Sequence, residues 1–472
     1  MGTINSAFQI MSGALEADQS ALNVVANNVA NANTTGYTRE IPAWQENTPV
    51  EINGSSYGSG ATETGSTSVR DRVLDQRLQQ QQQSASSSST RLAALNSMQA
   101  LFPPDSGSSS SAAGDIGSDL TSFFDSFSSL ANSGEPTNDA LRQDVLSAAS
   151  TLAGDISNAA AGLSSLQSSL DEEASGLVSQ VNGLTGSIAQ LNMEIQSSSP
   201  NGDAGTLEDQ RQQDLSQLSQ LIGVNQITTE NNGLSVTTAS GQLLVSEGSS
   251  FDLTTGLAGG LTRFFVGTTD VTQALAEGGG ELGGYLTARD QDVPNAMSSL
   301  DQLAYDVSTQ VNSLNNTGTD LAGDNGGAGD IFYQPAAVAG AAASMSVVMN
   351  DPDHIAAAGA NAATGDNSNA VSMANLAGQG VVNGKTPSNY FAQFVSQLGS
   401  TVSEVQAEST AQAASVTQLQ TQRDALSAVN LNDEASAMQQ LESSYQAASQ
   451  VFNILNTVMT SALNLGVETA VS

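Results

Sequence analysis

Apolar residues near the N-terminus fall at Ile4, Phe8, Met11, Leu15, Leu22, Val25 and Val29, in steps of four and three broken only where Asp18 takes a turn. Near the C-terminus the same spacing runs through Met438, Leu441, Tyr445, Ala448, Phe452, Leu455, Met459 and Ala462. A seven-residue repeat of this kind sets a narrow apolar seam along one side of a helix, which is what coiled-coil pairing requires. Two such helices at opposite ends of 472 residues predict a chain that leaves a terminal helical stem and returns to it.

Between the ends the pattern changes several times. The first helix is expected to stop near Asn31, because Asn31 to Gly36 is turn chemistry and Gly36 can take positive φ. An extended or irregular stretch follows to about Ser68. Helical spacing returns at Val69, Val73 and Leu74 and runs to Leu101, where Pro103 and Pro104 end it. Gln79 to Gln83 read as a solvent-facing part of that helix, and Asp105 to Gly117 as a flexible loop. The longest repeat lies between Leu152 and Ile195, about 65 Å of helix at ~1.5 Å per residue if unbroken. Two further seams span Met297–Leu314 and Phe391–Leu426. From Val224 to about Leu286 the period shortens, and Asn231-Asn232-Gly233 between alternating runs is a hairpin signal.

The expected fold is therefore mainly α with an inserted β domain, its long antiparallel helices forming a rod and its terminal helices pairing as a coiled-coil stem. The expected division is an N-terminal axial helix (1–38), a first rod segment (39–222), the β domain (223–286), a second rod segment (287–428) and a C-terminal axial helix (429–472). Within the second rod segment, about 320–385 is irregular.

Charge removes whole classes of function. Asp plus Glu number 47 against 11 Lys plus Arg, a net charge of −36, and Lys385 is the sole lysine. Nucleic acid and anionic lipid both need a basic face, so neither is an expected partner. The chain has no cysteine and a single histidine, His354, which leaves no thiolate or multi-histidine metal site. No stretch approaches the roughly 20 apolar residues of a membrane span. The first cationic side chain is Arg39, so a cleavable secretory signal is not expected.

Candidate chemistry fails motif by motif. Met1-Gly2-Thr3-Ile4-Asn5-Ser6 matches the myristoylation pattern, but no basic patch accompanies it and Ile4 already belongs to the apolar seam. Gly384-Lys385-Thr386 ends like a phosphate loop, yet Gln379 occupies the position of the first glycine. Thr386 is better read as an N-cap with Pro387 as the first helical residue. Asp320, Asp324 and Asp330 around Gly326-Gly327 have neither EF-hand nor β-helix spacing. Glu172-Glu173 and Asp433-Glu434 read as solvated helix faces. No catalytic, metal or cofactor residues are expected, and the chain is not expected to be an enzyme.

The segment Leu22 to Arg39, with Asn28, Asn31, Asn33, Gly36, Tyr37 and Arg39 in it, resembles the N-terminal signature of bacterial flagellar axial proteins, the rod, hook and hook-associated proteins. Val429 to Glu434 followed by Tyr445-Gln446-Ala447-Ala448-Ser449 is similar to their C-terminal signature. Within that group Leu207 to Arg211 and Leu282 to Asp290 look most like the FlgK family of hook–filament junction proteins. Thr35 stands where that family often has proline, as in hook and rod proteins. The alternatives are accordingly hook, distal rod or flagellin-like proteins.

The resemblance implies export, without a cleaved signal, through the flagellar type III apparatus to an extracellular ring at the end of the hook. It implies four partners: further copies of the chain, the hook protein, the second junction protein and a cytoplasmic chaperone. Axial-core packing would fall to Ile4, Phe8, Met11, Leu15, Leu22, Val25 and Val29 with Leu441, Tyr445, Phe452, Leu455 and Met459. Chaperone binding would fall to Phe452, Leu455 and Met459.

Overall fold

The computed structural model describes residues 2–52, 55–103, 115–199, 203–229, 232–325 and 328–468. Asn231 of the predicted turn, Pro104, most of the 105–117 loop and Gly326-Gly327 lie outside the described residues, as does the side chain of Ile4.

The chain opens with α1 (Gly2–Asn31) and ends with α13 (Leu431–Glu468). A β ribbon follows α1: β1 (Glu40–Glu46) pairs antiparallel with β4 (Ala61–Ser68), and β2 (Val50–Ile52) pairs with β3 (Ser55–Tyr57) at its far end. Then come α2 (Arg72–Gln99), α3 (Ile116–Asn132), α4 (Asp139–Gly176), α5 (Val178–Ser198) and α6 (Thr206–Leu221). Asp71 caps α2 by accepting from the amides of Val73 and Leu74, and Asn138 caps α4 in the same way. The long repeat is interrupted once, at Leu177, and not at Gly154, Gly162, Gly183 or Gly186.

The inserted β region contains β5 (Val224–Thr228), β6 (Leu234–Thr238), β7 (Leu243–Ser246) and β8 (Ser249–Ser250) in one sheet. A second sheet holds β9 (Leu253–Ala258), β10 (Leu261–Val266) and β11 (Thr269–Asp270). The expected extension of β structure to Leu286 is corrected. Residues 272–287 are the short helices α7 (Thr272–Gly278) and α8 (Gly280–Thr287). Gly284 packs so closely on α2 that a Cβ would lie 2.6 Å from the Ser87 carbonyl oxygen, so the glycines of this motif serve helix contact. After α8, the fully buried Arg289 sits between Asp171 of α4, at 2.5 Å, and the Thr262 carbonyl of β10, at 2.9 Å, joining the β insert to the helices.

α9 (Val293–Thr317) carries the irregular segment that follows it, which includes α10 (Ala341–Ser344) and α11 (Ser368–Asn375). Asn312 and Asn315 place amide groups at buried positions of α9 that an amphipathic helix would fill with apolar side chains. Asn312 accepts from the amides of Ile331 and Phe332 at 3.0 Å, and Asn315 accepts from Ala356 N at 2.9 Å. Within that irregular segment Val347 and Phe332 form an isolated antiparallel bridge. α12 (Pro387–Ser427) begins as read, with Thr386 Oγ1 accepting from Asn389 N.

α12 runs antiparallel to α2. Phe102 stacks edge-on against Phe394 at one end, and Asp75 pairs with Arg423 at the other. Phe102, Phe123, Phe124, Phe127 and Phe332 join a core of α2, α3, α4, α9 and α12. The sparse aromatic residues, 4% of the chain, are therefore concentrated in this core. A second core lies between α5, α6 and the β insert.

Candidate functional site

α1 and α13 lie antiparallel at the base of the molecule. At one end the Phe8 and Phe452 rings meet with centroids 4.4 Å apart. At the other, Asn28 Nδ2 donates to Glu434 Oε2 at 3.1 Å. Met11, Leu15 and Leu22 of α1 and Leu441, Leu455 and Met459 of α13 are all half-buried along this pair of helices. The β ribbon flanks the pair, with Gly60 against Ile10 and Gly13 against the Ala61 carbonyl.

Where the stem meets the rod, the polar network is dense. Asn28 Oδ1 accepts from Tyr37 Oη at 2.9 Å and from Glu40 N at 3.0 Å, while Nδ2 also donates to the Glu40 carbonyl at 2.8 Å. One buried asparagine thus ties helix, turn, strand and C-terminal helix together. Arg39 Nε donates to Glu434 Oε1 at 2.6 Å, and Arg39 N donates to the Ser427 carbonyl at 2.8 Å. Thr38 N donates to Asp209 Oδ2 at 2.8 Å. Asp209 also pairs with Arg70, which holds Glu208 at 2.6 Å. Gly36, at φ +83°, turns its carbonyl to Arg423 Nη2 at 3.2 Å. Burial, with the Glu40, Asp209 and Glu434 carboxylates around it, pushes the Tyr37 phenol up to about 12, so it remains a hydrogen-bond donor across the physiological range. Such a joint fixes the direction in which the stem leaves the rod.

The stem carries no basic side chain: residues 1–38 and 429–472 contain Glu16, Asp18, Asp433, Glu434, Glu442 and Glu468 of a net −36, and the stretch 443–467 of α13 contains no charge. Beside the paired seam, α13 carries a second apolar stripe, Val451, Ile454 and Val458, and Ile454 is 62% exposed. Like-charged copies repel through most of this surface, and the uncharged stretch 443–467 is where they can approach. Among the described residues no group of three or more His, Asp or Glu side chains is placed to hold a metal ion.

The model of the flagellar hook-associated protein FlgK helical domain matches residues 106–332, and that of the flagella basal body rod protein matches residues 8–38. Flagellar hook-associated protein 1 of Bacillus subtilis is 28% identical over 96% of both chains. Its namesake in Salmonella typhimurium is 25% identical over 96% of this chain and 98% of the relative. The chain belongs to the FlgK family of flagellar hook-associated proteins. The solved flagellar hook junction protein FlgK from Burkholderia pseudomallei shares the fold, with a TM-score of 0.65 and 20% identity, over 74% of this chain and 99% of that one.

The residues quoted as the N-terminal signature of flagellar axial proteins converge on the joint. Asn28, Gly36, Tyr37 and Arg39 make the contacts above, and Asn31 holds the preceding turn of α1 through Asn27 Oδ1 at 2.8 Å. Asn33 is exposed. Two seam positions need correction. Val29 is 39% exposed, because the inward face at the base of α1 runs through Ala21, Val25 and Asn28. Tyr445 is likewise 39% exposed, leaving Ala448 and Phe452 to continue the seam.

Sequence reasoning missed Glu434, which is 1% exposed and bonded to Arg39 and Asn28 rather than solvated. The signal was available. Arg39 is one of only 11 cationic residues, and both partners stand inside the quoted signatures. Arg70, Glu208, Asp209 and Arg423 were missed as well, because ion pairing across 138 and more residues leaves no local pattern.

Proposed function

We propose that this chain is the structural junction that assembles at the distal end of the flagellar hook and connects it to the filament. One observation carries the reading. The two signature-bearing ends pair into a half-buried stem that has no charge over residues 443–467 and is locked by Asn28, Arg39 and Glu434 onto an acidic helical body. A seam left half-covered in one copy is completed by neighbours, and its low charge permits stacking along an axis.

In this reading Phe8, Met11, Leu15, Leu22 and Val25 with Leu441, Phe452, Leu455 and Met459 form the axial core, and Ile4 extends it. The neighbours are further copies in a ring, the hook protein on one side and the second junction protein on the other. The division at residues 38, 222, 286 and 428 separates axial helices, rod and β insert. The chain leaves the cell through the flagellar type III apparatus and works outside it. A cytoplasmic chaperone covers Phe452, Leu455 and Met459 beforehand, since an exposed apolar stripe self-associates. The role is structural and not catalytic. Electron micrographs of a strain lacking this chain test the proposal: hooks without filaments support it, and normal filaments overturn it.

A further inference from the structure

Eight carboxylates are buried among the described residues. Seven of them accept from a cation, a hydroxyl or a backbone amide, as Glu208 does from Arg70 and Asp115 from Ser118 N. Asp119 is the exception. It is 6% exposed near the start of α3, in line with the fully buried Ile116, Leu120 and Phe123, and its Oδ2 meets no donor. Its side chain hydrogen-bonds across to Asp155 of α4. Ionised carboxylates only accept, so that bond exists only when one of the two carries a proton.

No neighbouring cation takes the proton's place. Besides Asp119, the acids on or beside α3 are Asp115, which caps the helix, and the exposed Asp125. The segments packed against α3 are α4, α11, residues 376–378 and α12. Residues 145–170, 368–378 and 387–403 contain a single charged side chain, Asp155 itself. Lys385, just before α12, bonds to Gln393. Asp330, beside the Phe332 ring that packs on Phe123, holds Asn316. Burial, then the bond to Asp155 and the charges of Asp155 and Asp115, all push the Asp119 carboxyl above the usual carboxylate range.

We infer that Asp119 and Asp155 share one proton and act as a pH-sensitive clasp, which holds the first turns of α3 on α4 while protonated and releases them when the proton leaves. Losing it sets two like charges side by side at a buried site without a cation, and parting the helices lets water reach them. The released turns carry Ile116 and Leu120. Phe127 and Leu130, two turns further along, keep the rest of α3 docked in the aromatic core. A proton bound more tightly by the folded chain than by the unfolded one stabilises at low pH, and that contribution is lost as pH rises. The clasp therefore closes in acidic surroundings and opens in alkaline ones. It belongs to the body and not the stem, so it stands apart from the junction reading.

The test follows hydrogen exchange of the full chain over residues 116–122, corrected for intrinsic rates, at about pH 6 and about pH 8.5. Asp155→Asn and Asp119→Asn are measured beside it. In either variant an amide donates to the remaining carboxylate, so no shared proton is needed. Protection in the parent should fall roughly ten-fold or more between the two conditions, and in the variants by less than about two-fold. Residues 298–311 of α9 should hold their protection throughout. Infrared spectroscopy supplies an arm that needs no variant: the parent should show the carbonyl band of a protonated carboxyl at about pH 6 and lose it by about pH 8.5. An equal fall in parent and variants, no fall at all, or a parent without that band overturns the clasp. Calcium that restores the parent's protection in the alkaline sample also overturns it, since a cation and not a proton would then bridge the two carboxylates.

Discussion

Replacing Glu434 by alanine probes the joint on which the stem depends. The carboxylate is 1% exposed and accepts two hydrogen bonds, from Arg39 Nε at 2.6 Å and Asn28 Nδ2 at 3.1 Å. Hydrogen bonds to a charged group contribute about 1.5–3 kcal/mol each when buried. The Arg39 side chain is 31% exposed and rehydrates, so its share is discounted. Asn28 keeps its bonds to Glu40 and Tyr37, which limits the loss on that side. The net cost is about 2 kcal/mol, borne by two helices whose seam is only half-buried.

Hydrogen exchange read segment by segment is the assay. Amides of α1 and α13 should exchange roughly 30-fold faster in Glu434→Ala, the equivalent of about 2 kcal/mol. Those of α3, α4 and α9, which lie in the aromatic core, should not change. Glu434→Gln, which retains an acceptor for Asn28, should fall between. Unchanged exchange in both terminal helices would refute the argument that this contact fastens the stem.

Leu455→Asp should abolish filament attachment, since a charge in a seam covered on assembly costs several kcal/mol, while the melting temperature of the rod stays unchanged. A peptide of residues 431–472 should bind the cognate export chaperone in calorimetry, and a Phe452→Ala, Leu455→Ala peptide should bind much more weakly. Undiminished binding by a chain truncated after Asn430 would place that site elsewhere. Limited proteolysis of the dilute chain should attack the stem first and leave a resistant body of roughly residues 40–430. Burial first, and then the neighbouring Asp155 and Asp115 carboxylates, push Asp119 up to about 7. Its protonated form is favoured by the fold, so this contribution is fully present below about pH 4 and is lost as pH rises through 7. Asp119→Asn should flatten that part of the melting-temperature profile, and an unchanged slope would contradict the assignment.

Features with a local cause were legible in the sequence. The turn after Asn31 with Gly36 at positive φ, and the Thr386-Pro387 start of α12, follow from single-residue backbone preferences. The terminal helices were visible because their apolar period is unbroken by competing structure. Where polar groups do the packing, hydrophobic periodicity gave no warning. Asn28 takes an inward position at the base of α1 and shifts the seam off Val29, and Gln79, Gln82 and Gln83 are buried against α6 and β5. Residues 272–287 follow a β region closely and are rich in glycine, yet close packing on α2 makes them helical. The joint was the least legible part, since Arg70 meets Glu208 across 138 positions and Arg39 meets Glu434 across 395.

Electron cryomicroscopy of the boundary between hook and filament tests the central claim most directly. The account predicts a layer of this chain there, with α1 and α13 innermost, Phe452, Leu455 and Met459 covered by neighbouring subunits, and the β insert turned outward. A boundary layer without this chain, or one in which its terminal helices lie on the outer surface, would contradict it.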